Sequence, residues 1–346
     1  MEIDWFEKLV GFKETSYQET KEKLKVQDNK LHSLVNGKSY EIGEFELLSL
    51  KALRERVKPY KNKKYQRDIN KIKIVKGDVQ EFLRSENNNY SLFQVASQFN
   101  MLEMMNPSIT PEDGITRYQY DKTQGPACAI AAGAATIYRN YFVPNGDLVG
   151  QNSTKQLNGL KKIGEYLSNV LKVPVSKLWK VQNGYVLFTN EGISKINEHL
   201  KFLDDSQIDA IKSKLLIGLH HDVEITKYDN PNKIIVSQAF CSAIPISYNP
   251  VGDTFWEPFS CLILEAAYEA TLLAGVLNAQ EKGSNTIFLT LLGGGAFGNK
   301  EEWIIPSIEE ALKKVSNFDL DIRIVIYDEP SERLINFINN GRCGEI

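Results

Sequence analysis

Residues 286–300 read TIFLTLLGGGAFGNK, and the reading of this run decides the fold. From Thr286 to Leu292 every residue is apolar or β-branched, without polar alternation, as in a strand covered on both faces. Gly293, Gly294 and Gly295 follow, then Ala296, Phe297, Gly298 and Asn299, and a helix is expected to start near 301–303. Glycines permit a tight turn and bring bare N–H groups up to a ligand. A helix N-terminus aimed at the same place favours an anion such as a diphosphate. The loop lacks the GK[ST] of a Walker A motif and is not GxGxxG. A tight turn with Phe297 in the core is the alternative reading.

Outward from this run, strands and helices alternate. Strand-like runs fall at 72–75, 92–96, 185–189, 215–226, 233–240 and 322–327, the last reading IRIVIY. Helix-like runs fall at 129–140, 155–170, 194–202, 206–214, 260–280, 303–315 and 331–339. This pattern predicts a three-layer α/β/α fold on a mixed, mostly parallel sheet from about residue 71 to the end. An insertion is expected at about 145–230. Residues 1–70 read as an N-terminal extension packing on the main domain, either completing the sheet or docking the modified protein, with a hairpin at Asn36-Gly37 and a helix near 47–57. The Lys-rich stretch 58–67, KPYKNKKYQR, reads as a solvated boundary, a local basic patch being the alternative. In such sheets ligands sit at the carboxyl ends of strands, so useful residues should follow strands directly.

The chain has 346 residues, about two domains' worth or one large domain with insertions. Its 42% hydrophobic and 25% charged content suits a folded globular protein. A net charge of −3 gives no bulk drive toward nucleic acid or anionic membranes, and neither is expected as a partner. The four cysteines form no CxxC pair, so no zinc site or disulfide framework is read. The start, MEIDWFEKLVGF, lacks a basic region followed by an apolar one. A cytoplasmic location is therefore expected, or delivery into a host cytoplasm. The apolar run 260–280 carries Glu265 and Glu269 and reads as a buried helix rather than a membrane span.

Further segments could carry chemistry. In IVKGDV, 74–79, a strand ends and Asp78, followed by Val79, presents a carboxylate, although Gly-Asp is also a common turn pair. In QVASQFN, 94–100, Gln98 and Asn100 can donate and accept, which suits sugar hydroxyls; strand termination is the alternative. The loop from Met101 holds Glu103, Glu112, Asp113 and Asp121 and ends in Thr123, Gln124, Gly125, Pro126 before a helix of small residues. A loop this long inside an α/β domain is usually functional or disordered. His220 and His221 would point to opposite faces of a strand, no HxH, HExxH or GxSxG spacing occurs, and no metal is expected. Cys128 near a helix start lacks a neighbouring histidine and reads as a packing residue.

Taken in order, IVKGDV, QVASQFN, LLGGGAFGN and IRIVIYDEPSERLINFI resemble the macro domain family over residues 72–339. The GGGAFGN form and the inserted stretches look more like its poly(ADP-ribose) glycohydrolase-like branch. The resemblance implies a macro-domain-like fold and ADP-ribose as ligand or product, with no cofactor required. It implies that Asp78, with Val79, meets the adenine amino group and that Asn100, with Gln98, reaches the distal ribose. Gly293 to Gly298 would wrap the diphosphate beside Asn299, Thr123, Gln124 and Gly125. Phe297 would lie against the distal ribose and Tyr327 near the adenine. The family's glycine-rich catalytic loop and paired glutamates are replaced here by MLEMMNPSITPEDGITRYQYDKTQGP, so its catalytic residues do not carry over. That acidic loop resembles a divergent group, including bacterial effector-type enzymes, that removes ADP-ribose from arginine.

These readings predict an ADP-ribosyl hydrolase acting on an ADP-ribosylated protein, with arginine as one linkage the resemblance suggests. Cleavage at the anomeric carbon needs a carboxylate to orient or deprotonate water. Asp113 and Asp121 lead for that role, with Glu103 and Glu112 behind them. A non-catalytic ADP-ribose-binding module and an enzyme acting on a free ADP-ribose-type nucleotide are the alternatives.

Overall fold

The computed structural model describes residues 3–60, 71–227, 232–249 and 255–341. Most of the Lys-rich stretch 58–67, and Cys343, lie outside them. The centre is a seven-stranded sheet: β1 (Glu44–Ser49), β2 (Lys71–Lys76), β3 (Leu92–Ala96), β4 (Leu216–Glu224), β5 (Ile235–Cys241), β6 (Thr286–Thr290) and β7 (Asp321–Ile326). Their order is β1-β4-β5-β3-β6-β7-β2. β1 and β4 pair antiparallel, as do β4 and β5, and every pairing from β5 to β2 is parallel. The fold is a three-layer α/β/α arrangement on a mixed, mostly parallel sheet, as the strand and helix pattern predicts.

Successive strand residues divide between two cores. Leu92, Ile287, Leu289, Ile322 and Ile324 face one, and Phe93, Val95, Phe288 and Val325 face the other. On the first face lie α6 (Glu257–Glu281) and α7 (Glu301–Lys314). Gly275 lets α6 sit close, since a Cβ there would fall 2.0 Å from Ile287 Cδ1. By length and composition α6 could cross a membrane, but here it is the core helix, with 89% of its apolar window buried. The second face carries α3 (Val79–Leu83), α4 (Gln124–Ala131) and α5 (Gly133–Tyr141). Small residues again decide the approach: a Cβ on Gly125 would lie 1.9 Å from the Ala96 carbonyl oxygen.

Several sequence expectations are corrected. The sheet begins before position 71, because β1 is its edge strand and is followed directly by α2 (Leu50–Val57). Arg54 of α2 is bidentate to Glu269 of α6 (2.6 and 2.8 Å) and to Asp209 (2.6 and 2.7 Å), which fixes this stretch to the main body. The 145–230 stretch is not wholly an insertion, since β4 lies in the middle of the sheet's antiparallel half. The strand at Tyr185–Phe188 pairs instead with Trp179–Gln182 in a hairpin of its own. The helix expected at 129–140 starts earlier and is broken at Ala132 (φ −101°, ψ 52°), where Thr226 N–H donates to the Ala131 carbonyl (2.8 Å). The helix expected at 155–170 starts only at Lys161. A third core joins α1 (Trp5–Val10), a three-stranded sheet at 24–41 and α5.

Candidate functional site

The carboxyl ends of β2, β3, β5, β6 and β7 share one edge, because these strands run parallel. After β6 the chain enters the glycine-rich loop. Gly293 (φ +73°) and Gly298 (φ +75°) take left-handed conformations that favour glycine. Their Cβ positions would meet Ala243 Cβ at 2.5 Å and Ser247 Oγ at 2.4 Å, so the loop is seated on the segment after β5. Ser247 N–H donates to the Phe297 carbonyl (3.1 Å). Gly294, Gly295 and Ala296 are exposed at the crest, and a Cβ on Gly295 would meet nothing within 4 Å. Asn299 is buried and braces the loop, donating from Nδ2 to the Ile244 carbonyl (2.8 Å). α7 follows as expected, but Glu301 and Glu302 occupy its first turn. Acidic residues in a first turn complement the positive end of the helix dipole.

Phe297 belongs to an aromatic wall. Its ring centroid is 5.5 Å from Tyr185 and 5.9 Å from Tyr248, and those two rings are 4.9 Å apart. Tyr185 O–H donates to the Met104 carbonyl (2.7 Å). Burial, then Tyr248 and the Asp121 carboxylate nearby, hold the Tyr185 phenol well above its ordinary range. Asp121 is half-buried, and its Oδ1 accepts from Thr123 N–H (2.9 Å). Sequence reasoning missed Tyr185 and Tyr248 as site residues. Tyr185 read only as a strand start, and nothing local distinguishes Tyr248 in PISYNP.

The other acidic candidates separate from this place. Asp113 is exposed and caps its own turn, accepting from Thr110 N–H and Oγ1–H (both 2.9 Å), which holds its carboxyl below the usual range. Glu112 is bound to Ser153 N–H and Oγ–H at 2.8–2.9 Å. Glu103 is fully buried against Arg139 (3.4 Å), and burial outweighs that cation, pushing the carboxyl up to about 7. None of these three is poised as an open carboxylate. Asn100 and Gln98 are likewise closed off. Asn100 Oδ1 accepts from Leu102 N–H (3.1 Å) and its Nδ2 donates to Gln156 Oε1 (2.8 Å). Gln98 Oε1 accepts from Met104 N–H (2.7 Å). The hairpin turn at Gly184 lies over both, with its Cβ position 2.4 Å from Asn100 Oδ1.

At the helix that follows the acidic loop, Gln124 acts as an extra strand residue. Its Oε1 accepts from Ala96 N–H (2.9 Å) and its Nε2 donates to the Gln94 carbonyl (2.8 Å). Gly125 allows the close approach to β3, and Thr123 is exposed at the N-cap without a side-chain cap bond. Across the edge, Asp78 caps α3, its Oδ1 accepting from Gln80 N–H (2.9 Å), so the turn-former reading holds for one of its oxygens. Val79 is buried in the core. Tyr327 stands 75% exposed just past β7. Burial raises the Cys128 thiol far above its ordinary range, in keeping with a packing role. Among the described residues no group of three or more His, Cys, Asp or Glu could hold a metal ion.

No family model and no curated protein matches the chain. Solved structures that resemble it include the poly(ADP-ribose) glycohydrolase of Deinococcus radiodurans in complex with ADP-ribose. That structure is 11% identical, with a TM-score of 0.45, over 87% of this chain and 95% of its own. The poly(ADP-ribose) glycohydrolase of Thermomonospora curvata is 10% identical, with a TM-score of 0.46, over 94% and 97%. The same enzyme bound to the inhibitor ADP-HPD is 11% identical, with a TM-score of 0.43, over 94% and 97%.

Proposed function

We propose that this protein is an ADP-ribosyl hydrolase that releases mono-ADP-ribose from modified protein side chains, arginine among them. One observation carries the reading. The exposed loop crest at 294–296 runs directly into Phe297 of the Phe297–Tyr185–Tyr248 wall, and the half-buried Asp121 carboxylate acts electrostatically on Tyr185 of that wall. The N–H groups of Gly295, Ala296 and Phe297 receive the diphosphate, those of Gly294, Gly298 and Asn299 being bonded to the Leu291, Gly295 and Gly293 carbonyls (3.0, 3.0 and 2.9 Å). Phe297 lies against the distal ribose, and Asp78 and Tyr327 flank the adenine. Asp121 accepts a proton from the attacking water as its oxygen bonds to the anomeric carbon. The bond from that carbon to the side-chain nitrogen or oxygen breaks, and the leaving group is protonated from solvent.

The second reading, a module that binds ADP-ribose without cleaving it, is favoured by a specific observation: Asp113, Glu112 and Glu103 are each committed to internal bonds. A comparison of Asp121→Asn with Asp113→Asn on ADP-ribosylated peptides separates the two. The hydrolase reading expects turnover to fall by about 10²–10⁴-fold in the first variant and to stay near wild type in the second. Equal turnover in both removes Asp121 from the chemistry, and no release by wild type leaves the binding module.

A further inference from the structure

The loop that ends at Asp121 is tied to the N-terminal segment by one carboxylate. Glu14 lies between α1 and the short helix Tyr17–Glu22. Its Oε1 accepts from Ile115 N–H (2.9 Å) and its Oε2 from Thr116 N–H (2.7 Å). Tyr141 of α5 donates its O–H to the same Oε1 (2.6 Å), so the carboxylate bridges the loop to the second helical layer. Gly114 leaves room for it: at φ +84°, a Cβ there would fall 2.4 Å from Glu14 Oε2. Trp5 Nε1–H adds a bond to the Thr116 carbonyl (3.0 Å). From this anchor the short turn Thr116–Tyr120 runs to Asp121, whose N–H donates to the Tyr118 carbonyl (3.1 Å). Tyr118 is fully buried, and its hydroxyl oxygen accepts from Glu103 N–H (3.0 Å). A continuous chain of bonds thus runs from Glu14 to Asp121.

We infer that Glu14 is a positioning residue for Asp121, and that the N-terminal segment is a working part of the hydrolytic site. The inference rests on the hydrolase reading above. A carboxylate suits the task because two adjacent N–H groups and a phenol need an acceptor-only partner. Glutamine has the same shape but puts an NH₂ donor against one of those N–H groups. Glu14→Gln therefore releases the loop without opening a cavity.

The experiment uses the full chain with Glu14→Gln, Asp121→Asn and the double variant. Glu14→Gln should raise hydrogen exchange at Ile115, Thr116 and on to residue 123, while the amides of β3, β6 and β7 stay as protected as in wild type. Turnover of an ADP-ribosylated peptide should fall in kcat by about 10²-fold, the usual cost of misplacing a reacting group by about 1 Å, with ADP-ribose affinity kept. In the Asp121→Asn background the same change should cost nothing further, because both act through one carboxylate. An equal additional loss in the double variant, or loss of protection across the whole sheet, assigns Glu14 a general folding role and overturns the inference. Unchanged exchange at 115–123 overturns it as well. If wild type hydrolyses nothing, the hydrolase reading fails by that assay alone, and the positioning of a catalytic carboxylate falls with it; raised exchange at 115–123 would then show only that Glu14 orders the loop.

Discussion

Gly295 and Gly293 stand two residues apart in one loop and should fail in opposite ways when replaced. Gly295 is exposed, its φ is not positive, and a Cβ there meets nothing within 4 Å. Gly295→Glu should therefore fold with wild-type stability. Its carboxylate would stand over the loop N–H groups assigned to the diphosphate. Two like charges about 4 Å apart cost about 1 kcal/mol in water and about 4 kcal/mol near a protein surface. At about 1.4 kcal/mol per decade, ADP-ribose affinity should fall by about 5-fold to 10³-fold. Gly293→Ala is the reverse case. Its φ of +73° costs a side-chain-bearing residue about 1–2 kcal/mol. The overlap at 2.5 Å with Ala243 Cβ adds about 1–3 kcal/mol of overpacking. Calorimetric titration with ADP-ribose and urea unfolding, run on both variants, read the two quantities separately. A folded Gly295→Glu protein that binds ADP-ribose like wild type would refute the placement of the diphosphate on this loop.

Three other expectations follow from named groups. Asp78→Ala should weaken ADP-ribose binding by about 1–3 kcal/mol through loss of a charge-assisted bond. It should also cost about 0.5–2 kcal/mol of stability as a lost helix cap; a stability loss with unchanged calorimetric affinity leaves Asp78 a cap alone. Glu103 is raised by burial to about 7 from 4.5. The folded state therefore keeps a proton that the unfolded chain gives up, and this contribution is fully present below about pH 4.5 and lost as pH rises through about 7. Glu103→Gln should flatten the stability profile over that window, and an unchanged slope in urea titrations at several pH values would contradict the assignment. Phe297→Ala should lower ADP-ribose affinity and hydrolytic rate together, since it removes ground-state contact, whereas a fall in kcat alone would argue against a ribose-facing ring.

The parts of this fold that were legible carry their signal locally. The strands at TIFLTLL and IRIVIY, Thr286–Thr290 and Asp321–Ile326, bury side chains on both faces, and the apolar continuity of the runs says so without a partner in view. The glycine-rich loop was legible for the same reason, since its left-handed positions demand glycine. What escaped depends on distant partners. EFELLS at 44–49 becomes a sheet edge only because β4 offers it a ladder. The break at Ala132 answers to Thr226, far along the chain. Asn100 reads as a ribose contact, but Gln156 and Leu102 N–H take up its amide and the turn at Gly184 lies over it. Asp113 and Asp121 look alike in sequence, but Thr110 claims the first, whereas the second acts electrostatically on Tyr185.

The most direct test of the account is incubation of the wild-type protein with arginine-, glutamate- and serine-linked mono-ADP-ribosyl peptides in heavy-oxygen water, with the products identified by mass. The account predicts unmodified peptide and free ADP-ribose carrying one heavy oxygen at the anomeric hydroxyl, as cleavage of the glycosidic bond by water requires. Release of AMP, heavy oxygen on a phosphate, or no release from any of the three linkages would contradict it.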